Sequence, residues 1–328
     1  MRHLSMQKRF GVILGLSLLW FLAVGAGMFV PAFGACPGDT LPDSYLAALE
    51  DASSATQAKI SKRLLALVPF GDQTNRSELC GGKLAWEWDP TYSGFPTRLK
   101  VVTLVDRQTY ETIYKPNLDQ HAKTYMLRKS LWVTVVPQMR NFFSRKMFKD
   151  AGQCPPSLER VRQVLGLNPY SGGEVFIEMW LEPQYLFRPS ADPAITDHEA
   201  EVATQLAAGH WYFPSDPNPF MTINDDNLYQ DAQWKNDPVT FKEWYMYRAE
   251  TIYKSDPDVC APYPWTRLGY TYDWGEPHRD RHEGLSEFVV RIDPALDGGA
   301  TVVQLIRAID SKDSESWGSY FRCSKNCD

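Results

Sequence analysis

The sequence lacks the short motifs by which several large enzyme classes are recognised. It contains no phosphate-binding glycine loop, no Gly-x-Gly-x-x-Gly fingerprint and no Gly-x-Ser-x-Gly nucleophile elbow. Internal repeats, low-complexity tracts and runs of five or more basic residues are also absent. The sequence therefore carries no signature of nucleotide binding or serine-hydrolase chemistry. It predicts no cofactor, and it leaves open whether the protein is an enzyme.

The charge balance argues against nucleic acid as a partner. The 328 residues include 34 Lys and Arg against 40 Asp and Glu, which gives a net charge of −6. Nonspecific binding of nucleic acid depends on cations that face the phosphates. An acidic chain without a basic cluster does not provide them, so we predict no nucleic-acid partner.

The first 35 residues have the composition of an export signal. Three basic side chains within the first nine residues precede an apolar run, 10–30, and small residues follow it. Signal cleavage fits after Gly34 and after Ala35. Two alternatives remain: Cys36 follows an imperfect lipobox and is a candidate for lipidation, and the apolar run has roughly the 20 residues that an uncleaved membrane anchor needs.

All three outcomes place the main body of the protein outside the cytoplasm, because the basic end stays inside. The predicted location is therefore periplasmic, secreted or envelope-anchored, with membrane contact only through the N-terminal segment. Removal of residues 1–35 takes away three cations and no carboxylate, and the net charge becomes −9. We expect residues 36–328 to form a single globular domain; a division near 190–235 is the alternative.

The six cysteines are widely scattered along the chain. In an oxidising compartment this arrangement favours disulfides that join distant segments, and the pairing cannot be deduced from spacing. Lipidation of the first cysteine would leave an odd thiol. The last two have the spacing of half a zinc site, but no second pair accompanies them, so we predict no metal. The cysteines are Cys36, Cys80, Cys154, Cys260, Cys323 and Cys327.

The hydrophobic pattern predicts an α+β fold with a mixed or antiparallel sheet and several packed helices. Apolar runs read as strands, and residues with helical spacing or helix-start signals read as helices. Outside the C-terminal region, the predicted strands are 84–88, 99–105, 131–136 and 174–181. The predicted helices are 43–67, 137–149, 155–165, 195–208 and 238–253.

The clearest alternation of the chain lies near its C-terminal end. In 264–275, Thr266, Leu268, Tyr270, Tyr272 and Trp274 share one face, as in a strand with one buried side. Two further apolar segments follow this one after connecting loops. We therefore predict a C-terminal three-stranded meander from 264–275, 284–291 and 301–309.

Five segments together resemble a group of uncharacterised exported bacterial proteins. The resemblance covers about residues 84–310 and implies a bacterial, exported, soluble domain. It brings no activity, because none is known for that group. The segments are LWVTVVP, RVRQVLGL, VFIEMWLEPQYLFRPSADP, PYPWTRLGYTYDWG and GLSEFVV.

Four polar residues interrupt the apolar pattern of the C-terminal strands: Arg267, Asp273, Glu287 and Arg291. Paired carboxylates divide acid and base roles in glycoside hydrolysis. Asp273 and Glu287 are therefore catalytic candidates, and Arg267 is a candidate for positioning substrate. The competing interpretation is that these side chains form cross-strand or same-face ion pairs.

One histidine-containing string resembles a metal site. His278, Asp280 and His282 would face the same way on an extended backbone, and such a set suits Zn²⁺ or Fe²⁺. However, Arg279 and Arg281 alternate with them, and their charge opposes a bound cation. We predict a solvated loop here.

Aromatic residues supply the remaining functional signal, with 11 Trp, 16 Tyr and 16 Phe. Aromatic faces stack on sugar rings, and Tyr and Trp are favoured at interfaces. The leading hypothesis is an exported domain that binds a partner protein or an envelope glycan through an aromatic-lined surface. The alternative is an extracytoplasmic glycan hydrolase that uses Asp273 and Glu287. The predicted ligand-binding residues are Trp265, Trp274, Tyr270, Tyr272 and Arg291.

Overall fold

The computed structural model of the protein describes eleven stretches of the chain. They are 41–67, 89, 98–144, 155–196, 198–206, 210–212, 228–229, 239–254, 262–275, 282–292 and 299–321. The predicted export signal, the predicted strand at 84–88 and all six cysteines lie outside these residues. Within the described ranges, no helix combines the length and the apolar character that crossing a membrane requires.

A seven-stranded sheet forms the centre of the fold, and every strand pair within it is antiparallel. The strand order is β2-β13-β4-β1-β3-β12-β5. This sheet, together with the helices packed on it, confirms the predicted α+β class. The strands are β1 (Leu99–Asp106), β2 (Thr124–Leu127), β3 (Leu131–Val135), β4 (Gly173–Leu181), β5 (Leu186–Phe187), β12 (Phe288–Val290) and β13 (Thr301–Asp310).

Among the described residues, three small two-stranded sheets accompany the large one: β6 with β7, β8 with β9, and β10 with β11. Their strands are no longer than four residues, so each depends on its surroundings for stability. The ranges are β6 (Thr204–Leu206), β7 (His210–Tyr212), β8 (Leu228–Tyr229), β9 (Val239–Thr240), β10 (Tyr270–Tyr272) and β11 (Glu283–Ser286).

Within the part of the chain that the structure describes, six helices flank the sheets. One of them, α2, begins as Arg107–Thr109, continues as a π-helical turn over Tyr110–Tyr114 and ends as Lys115–Leu118. The others are α1 (Asp43–Ala52), α3 (Gln138–Ser144), α4 (Leu158–Val164), α5 (Phe241–Thr251) and α6 (Ser314–Phe321).

The central strands of the large sheet are buried on both faces, and β4 shows how its sequence produces this. Successive side chains of a strand point to opposite faces. Ile177 and Met179 join a core cluster that α2 covers with Tyr114. Phe176 points the other way, into a cluster formed with α3, α4 and α6, where its ring stacks on Trp317 at 5.4 Å.

The predicted helix at 43–67 is shorter in the structure, because α1 ends at Ala52. Ser53 donates its hydroxyl to the carbonyl of Glu50, the kind of local side-chain bond that competes with helix continuation. The following segment runs back towards the sheet as irregular chain that buries Leu64 and Leu67. The helical spacing of these apolar residues therefore indicated their burial and not a helical backbone.

The helix predicted at 195–208 is replaced in part by β6. The carbonyls of Ile195 and His198 accept hydrogen bonds from the backbone of Leu67 and Leu64. Tertiary pairing with the 61–67 segment therefore uses backbone groups that a helix would have needed.

The predicted C-terminal strands form, but they divide between two sheets. β10 pairs with β11, whereas β12 continues into the large sheet beside β3 and β5. The last strand, β13, lies between β2 and β4 rather than beside β12. Its ten residues match the nine of β4, and their pairing gives a longer ladder than the three residues of β12 offer.

Gly269, directly before β10, is required by its surroundings. Its φ is +72°, and a Cβ there would overlap the side chain of Arg188. We expect Gly269→Ala to lower the free energy of unfolding by about 1–3 kcal/mol, because both strain and overlap act on the folded state. Chemical denaturation followed by circular dichroism measures the change.

Gly318→Ala is the matched control. Gly318 lies within α6, where an added Cβ meets no heavy atom within 4 Å. We expect a stabilisation of roughly 0.5–1 kcal/mol from helix propensity. Equal effects of the two substitutions would contradict the assignment for Gly269.

Candidate functional site

The candidate site is a pocket of about 320 Å³ between the C-terminal end of α1 and β10. This volume lies at the small end of the range for ligand-binding clefts, roughly 300–1,000 Å³. Five of the side chains that line it are Asp51, Lys59, Tyr270, Tyr272 and His282. They come from three separate parts of the sequence.

The α1 side of the pocket is built by a short reversal of the chain. A 3₁₀ turn, Gln57–Lys59, brings Lys59 back to the end of the helix. The Lys59 ammonium donates to the Asp51 carboxylate at 2.8 Å and to the Asp51 backbone carbonyl at 2.6 Å. A cation at this position also interacts favourably with the negative end of the helix dipole.

The β10 side of the pocket is held by phenol hydroxyls. Tyr272 donates to the second carboxylate oxygen of Asp51 at 3.1 Å, and Tyr270 donates to the carbonyl of Lys59 at 2.9 Å. The Tyr272 ring stacks on His282, with centroids 4.8 Å apart and planes 13° from parallel. These contacts hold both sides of the pocket in a defined geometry.

The electrostatics of the pocket favour an ionised Asp51. Partial burial by itself would raise the pKa of Asp51, but the hydrogen bond and charge of Lys59 and the Tyr272 phenol lower it overall. Burial, together with the Asp51 charge, raises the pKa of Tyr272 above its ordinary value. At neutral pH the pocket therefore presents a carboxylate paired with an ammonium, beside neutral phenols.

The two tryptophans expected to form a binding surface are buried instead. Trp265 has no exposed area, and its indole N–H donates to the carbonyl of Pro189. Trp274 is 7 % exposed, packs edge-on against Tyr45 and donates to the carbonyl of Leu167. Their faces contact protein, so a stacking platform made from them is not available to a ligand.

Asp273 lies in the core, where it forms a bidentate ion pair with Arg160. Arg160, on α4, donates to both of its carboxylate oxygens at 2.6 and 2.7 Å. Asp273 has no exposed area, and its backbone N–H bonds the carbonyl of His282. This arrangement attaches β10 and β11 to α4, and Asp273 does not line the pocket.

Glu287 is also buried, at 3 % exposure, between β11 and β12. One carboxyl oxygen lies 2.7 Å from the hydroxyl of Tyr263. Burial raises the pKa of Glu287 to about 8, although the Tyr263 hydrogen bond lowers it in part. Like Asp273, Glu287 does not line the pocket, so the hydrolase hypothesis gains no support from the pocket geometry.

The two arginines of the predicted set have separate roles. Arg267, with a φ of 59°, donates to the carbonyl of Ser53, and its guanidinium lies over the ring of Tyr253. Arg291 donates to the carbonyl of Gln184 at 3.3 Å and lies over the ring of Tyr185. The structure thus gives each of the four predicted polar residues its own partners instead of one shared site.

Sequence reasoning missed Asp51 and Lys59, and it placed His282 in a metal-like string. His278 and Asp280 of that string lie outside the described residues. Among the residues that the structure describes, no three His, Cys, Asp or Glu side chains are grouped to hold a metal ion. Neither Asp51 nor Lys59 has a local sequence signal, because their pairing depends on the turn after α1.

No protein-family model, no curated protein and no solved structure matches this chain. Functional interpretation therefore rests on the chemistry of the site.

The buried pair predicts a large effect of removing one partner. We expect Arg160→Ala to lower the free energy of unfolding by about 3–5 kcal/mol, because it leaves the Asp273 charge buried and unpaired. Urea denaturation at pH 7 measures the loss.

Arg63→Ala provides the comparison. Arg63 bonds Glu283 at 2.9 Å, but its side chain is 73 % exposed. Exposed pairs contribute about 0–1 kcal/mol, so this change should be small. A similar small effect of Arg160→Ala would show that the Asp273 pair does not stabilise the fold.

Proposed function

We propose that this protein is an exported binding domain that holds a neutral, hydroxyl-rich ligand in the pocket between α1 and β10. A single sugar unit of an envelope glycan has the required chemistry. The observation that carries the proposal is the joint presence of a paired acid and base, two tyrosines and a histidine around one small pocket. The exported location rests on the N-terminal sequence.

The charge of the pocket argues for a neutral ligand. The Asp51 carboxylate and the Lys59 ammonium neutralise each other across 2.8 Å. A net-charged ligand would find no uncompensated opposite charge in this pair. Hydroxyl groups both donate and accept, so they can bond a carboxylate as well as an ammonium.

Hydrogen-bonding capacity remains after the pair has formed. An ammonium carries three protons, and two of the hydrogen bonds of Lys59 go to Asp51. Among the described residues no acceptor takes the third proton, which is left for a ligand oxygen, and His282 lines the same space. Together with the carboxylate, these groups suit a ligand that has several hydroxyls on one ring.

Aromatic contact comes from tyrosine in this proposal. Tyr270 and Tyr272 were predicted ligand-binding residues, and both line the pocket, whereas Trp265 and Trp274 do not. The two tyrosines are 3 % and 5 % exposed and Tyr272 stacks on His282, so they offer a ligand a small part of each ring and no open stacking face. Aromatic carbon next to polar groups matches a sugar ring, which has apolar C–H faces and a polar edge. The concave shape also favours a small ligand over the flat surface of a partner protein.

Sugar titrations of the exported protein test this function. The probes are glucose, N-acetylglucosamine and their β-1,4-linked disaccharides, followed by NMR chemical shifts and isothermal calorimetry. We expect saturable binding of at least one probe. Ala47→Trp should abolish it, because Ala47 is an exposed residue of α1 that lines the pocket, and the indole would fill the space.

Leu46→Trp is the matched control. Leu46 precedes Ala47 on α1 and is 48 % exposed, but it does not line the pocket. Binding should persist in this variant, and Lys59→Met should weaken binding about tenfold or more through loss of a charge-assisted bond. Absence of saturable binding, or equal binding by both tryptophan variants, would contradict the proposal.

A further inference from the structure

Glu287 occupies the point where the chain leaves the small β10–β11 sheet for the large one. Its backbone N–H donates to the carbonyl of Gly269 at 2.9 Å, directly before β10. The next residue, Phe288, begins β12 and lies in the main core. A change at this carboxyl group therefore acts on the junction between the two sheets.

The hydrogen bonds around the carboxyl group require one more proton than an ionised Glu287 provides. The Tyr263 hydroxyl lies 2.7 Å from one Glu287 oxygen and 3.0 Å from the carbonyl of Leu165. A phenol has a single proton, so it can donate to only one of these two acceptors. If Glu287 is protonated, it donates to Tyr263, and Tyr263 donates to Leu165.

The second carboxyl oxygen of Glu287 is buried and has no hydrogen-bond partner among the described residues. An ionised carboxylate in that condition would leave part of its charge without solvation. A protonated carboxyl group carries no such charge. Both oxygens therefore favour the neutral acid.

The titratable groups nearest to Glu287 are themselves neutral. Tyr263 bonds the carboxyl group, and Tyr253, two residues after α5, and Tyr45 on α1 interact electrostatically with Tyr263. Burial raises the pKa of all three phenols. None of them supplies a positive charge that would stabilise a carboxylate.

The guanidinium groups on the surrounding elements are engaged elsewhere. Arg188, which lies over the ring of Phe288, donates to the carbonyls of Ala194 and Leu65. The charge of Arg160 on α4 is matched by Asp273, which follows β10. Arg267 donates to the backbone near α1 and lies over the Tyr253 ring.

We propose that Glu287 is a neutral carboxylic acid in the folded protein, and that its proton couples the folding of the β10–β11 junction to pH. Loss of the proton would place a charge in an apolar environment, and the Tyr263 hydroxyl would keep its own proton but turn its hydrogen bond from the Leu165 carbonyl to the Glu287 carboxylate. The Leu165 carbonyl at the end of α4 would then lose the Tyr263 bond. Alkaline pH would thereby loosen the contact between α4 and the segment before β10.

The direction of the effect on stability follows from proton linkage. In the unfolded chain the carboxyl group releases its proton near its ordinary pKa of 4.5, whereas in the folded protein the pKa is about 8. Between these values the folded state binds one more proton than the unfolded state. The contribution to stability is complete below the unfolded pKa and is lost as pH rises through the folded pKa.

Urea denaturation of the full chain at pH values from 5 to 9 tests the proposal. The ratio of folded to unfolded protein should fall by up to about tenfold per pH unit between the two pKa values, relative to Glu287→Gln. The amide of glutamine has the shape of the acid but does not titrate in this range. Hydrogen exchange of the amides in β10 and β11 should accelerate with pH in the wild type and less in the variant.

Infrared spectroscopy detects the proton directly. We expect the carbonyl band of a protonated carboxylic acid at pH 7, lost in Glu287→Gln and lost from the wild type above its folded pKa. The band at pH 7 is measured in the wild type, so this test does not require the variant to fold. Its absence at pH 7 would overturn the proposal.

Two further variants separate this carboxyl group from others. Glu283→Gln changes a neighbouring carboxylate that is bonded by Ser61 and Arg63. In this variant the folded-to-unfolded ratio should fall with pH as steeply as in the wild type, and more steeply than in Glu287→Gln. Tyr263→Phe removes the hydrogen bond that lowers the pKa of Glu287, so the infrared titration should move to higher pH. An unchanged slope in Glu287→Gln, or an infrared titration that Tyr263→Phe leaves in place, would contradict the assignment.

Discussion

Buried irregular backbone needs hydrogen-bond donors, and in this protein Tyr and Trp side chains supply them. Tyr45 donates to the carbonyl of Pro262, Tyr253 to that of Trp265, and Trp317 to that of Pro156. Each ring combines a large apolar body with one donor at its tip, and unsatisfied buried carbonyls are costly. The aromatic side chains thus fill the core and also donate hydrogen bonds to buried backbone carbonyls. The segments around the pocket are joined by the same kind of bond, because the Tyr270 hydroxyl donates to the carbonyl of Lys59.

The strands of the large sheet were predictable because their burial requires a simple pattern. In β4, a long apolar run predicts the strand from sequence, and its register with β1 is regular from Leu181 to Val175, before a β-bulge between Val105 and Asp106. The helix prediction from Asp43 onward was wrong beyond Ala52, where the Ser53 hydroxyl bonds a backbone carbonyl of the helix. Leu64 and Leu67 kept their predicted burial but reached it without a helix. Periodicity reports which residues are buried more reliably than it reports the backbone conformation that buries them.

The candidate site was less accessible to sequence reasoning for a different reason. Asp273 stood out as polar within an apolar pattern, but its partner Arg160 lies 113 positions away along the chain. Without that partner, a fixed ion pair and a catalytic carboxylate look alike. Asp51 and Lys59 did not stand out at all, since acids and lysines near helix ends are common. Only the tertiary fold distinguishes a polar residue that has a structural partner from one that faces a cavity.

The pocket also has a consequence for how the chain reaches its native state. Its two sides are joined by contacts between residues 211 and 221 positions apart, Tyr270 with Lys59 and Tyr272 with Asp51. Closing so long a loop has an entropy cost, and such contacts lower the free energy only after most of the chain has been ordered. A ligand that fills the pocket binds only the closed form and shifts the folding equilibrium towards it by mass action. Occupancy of the pocket would thus report that the N-terminal and C-terminal segments of the protein have come together.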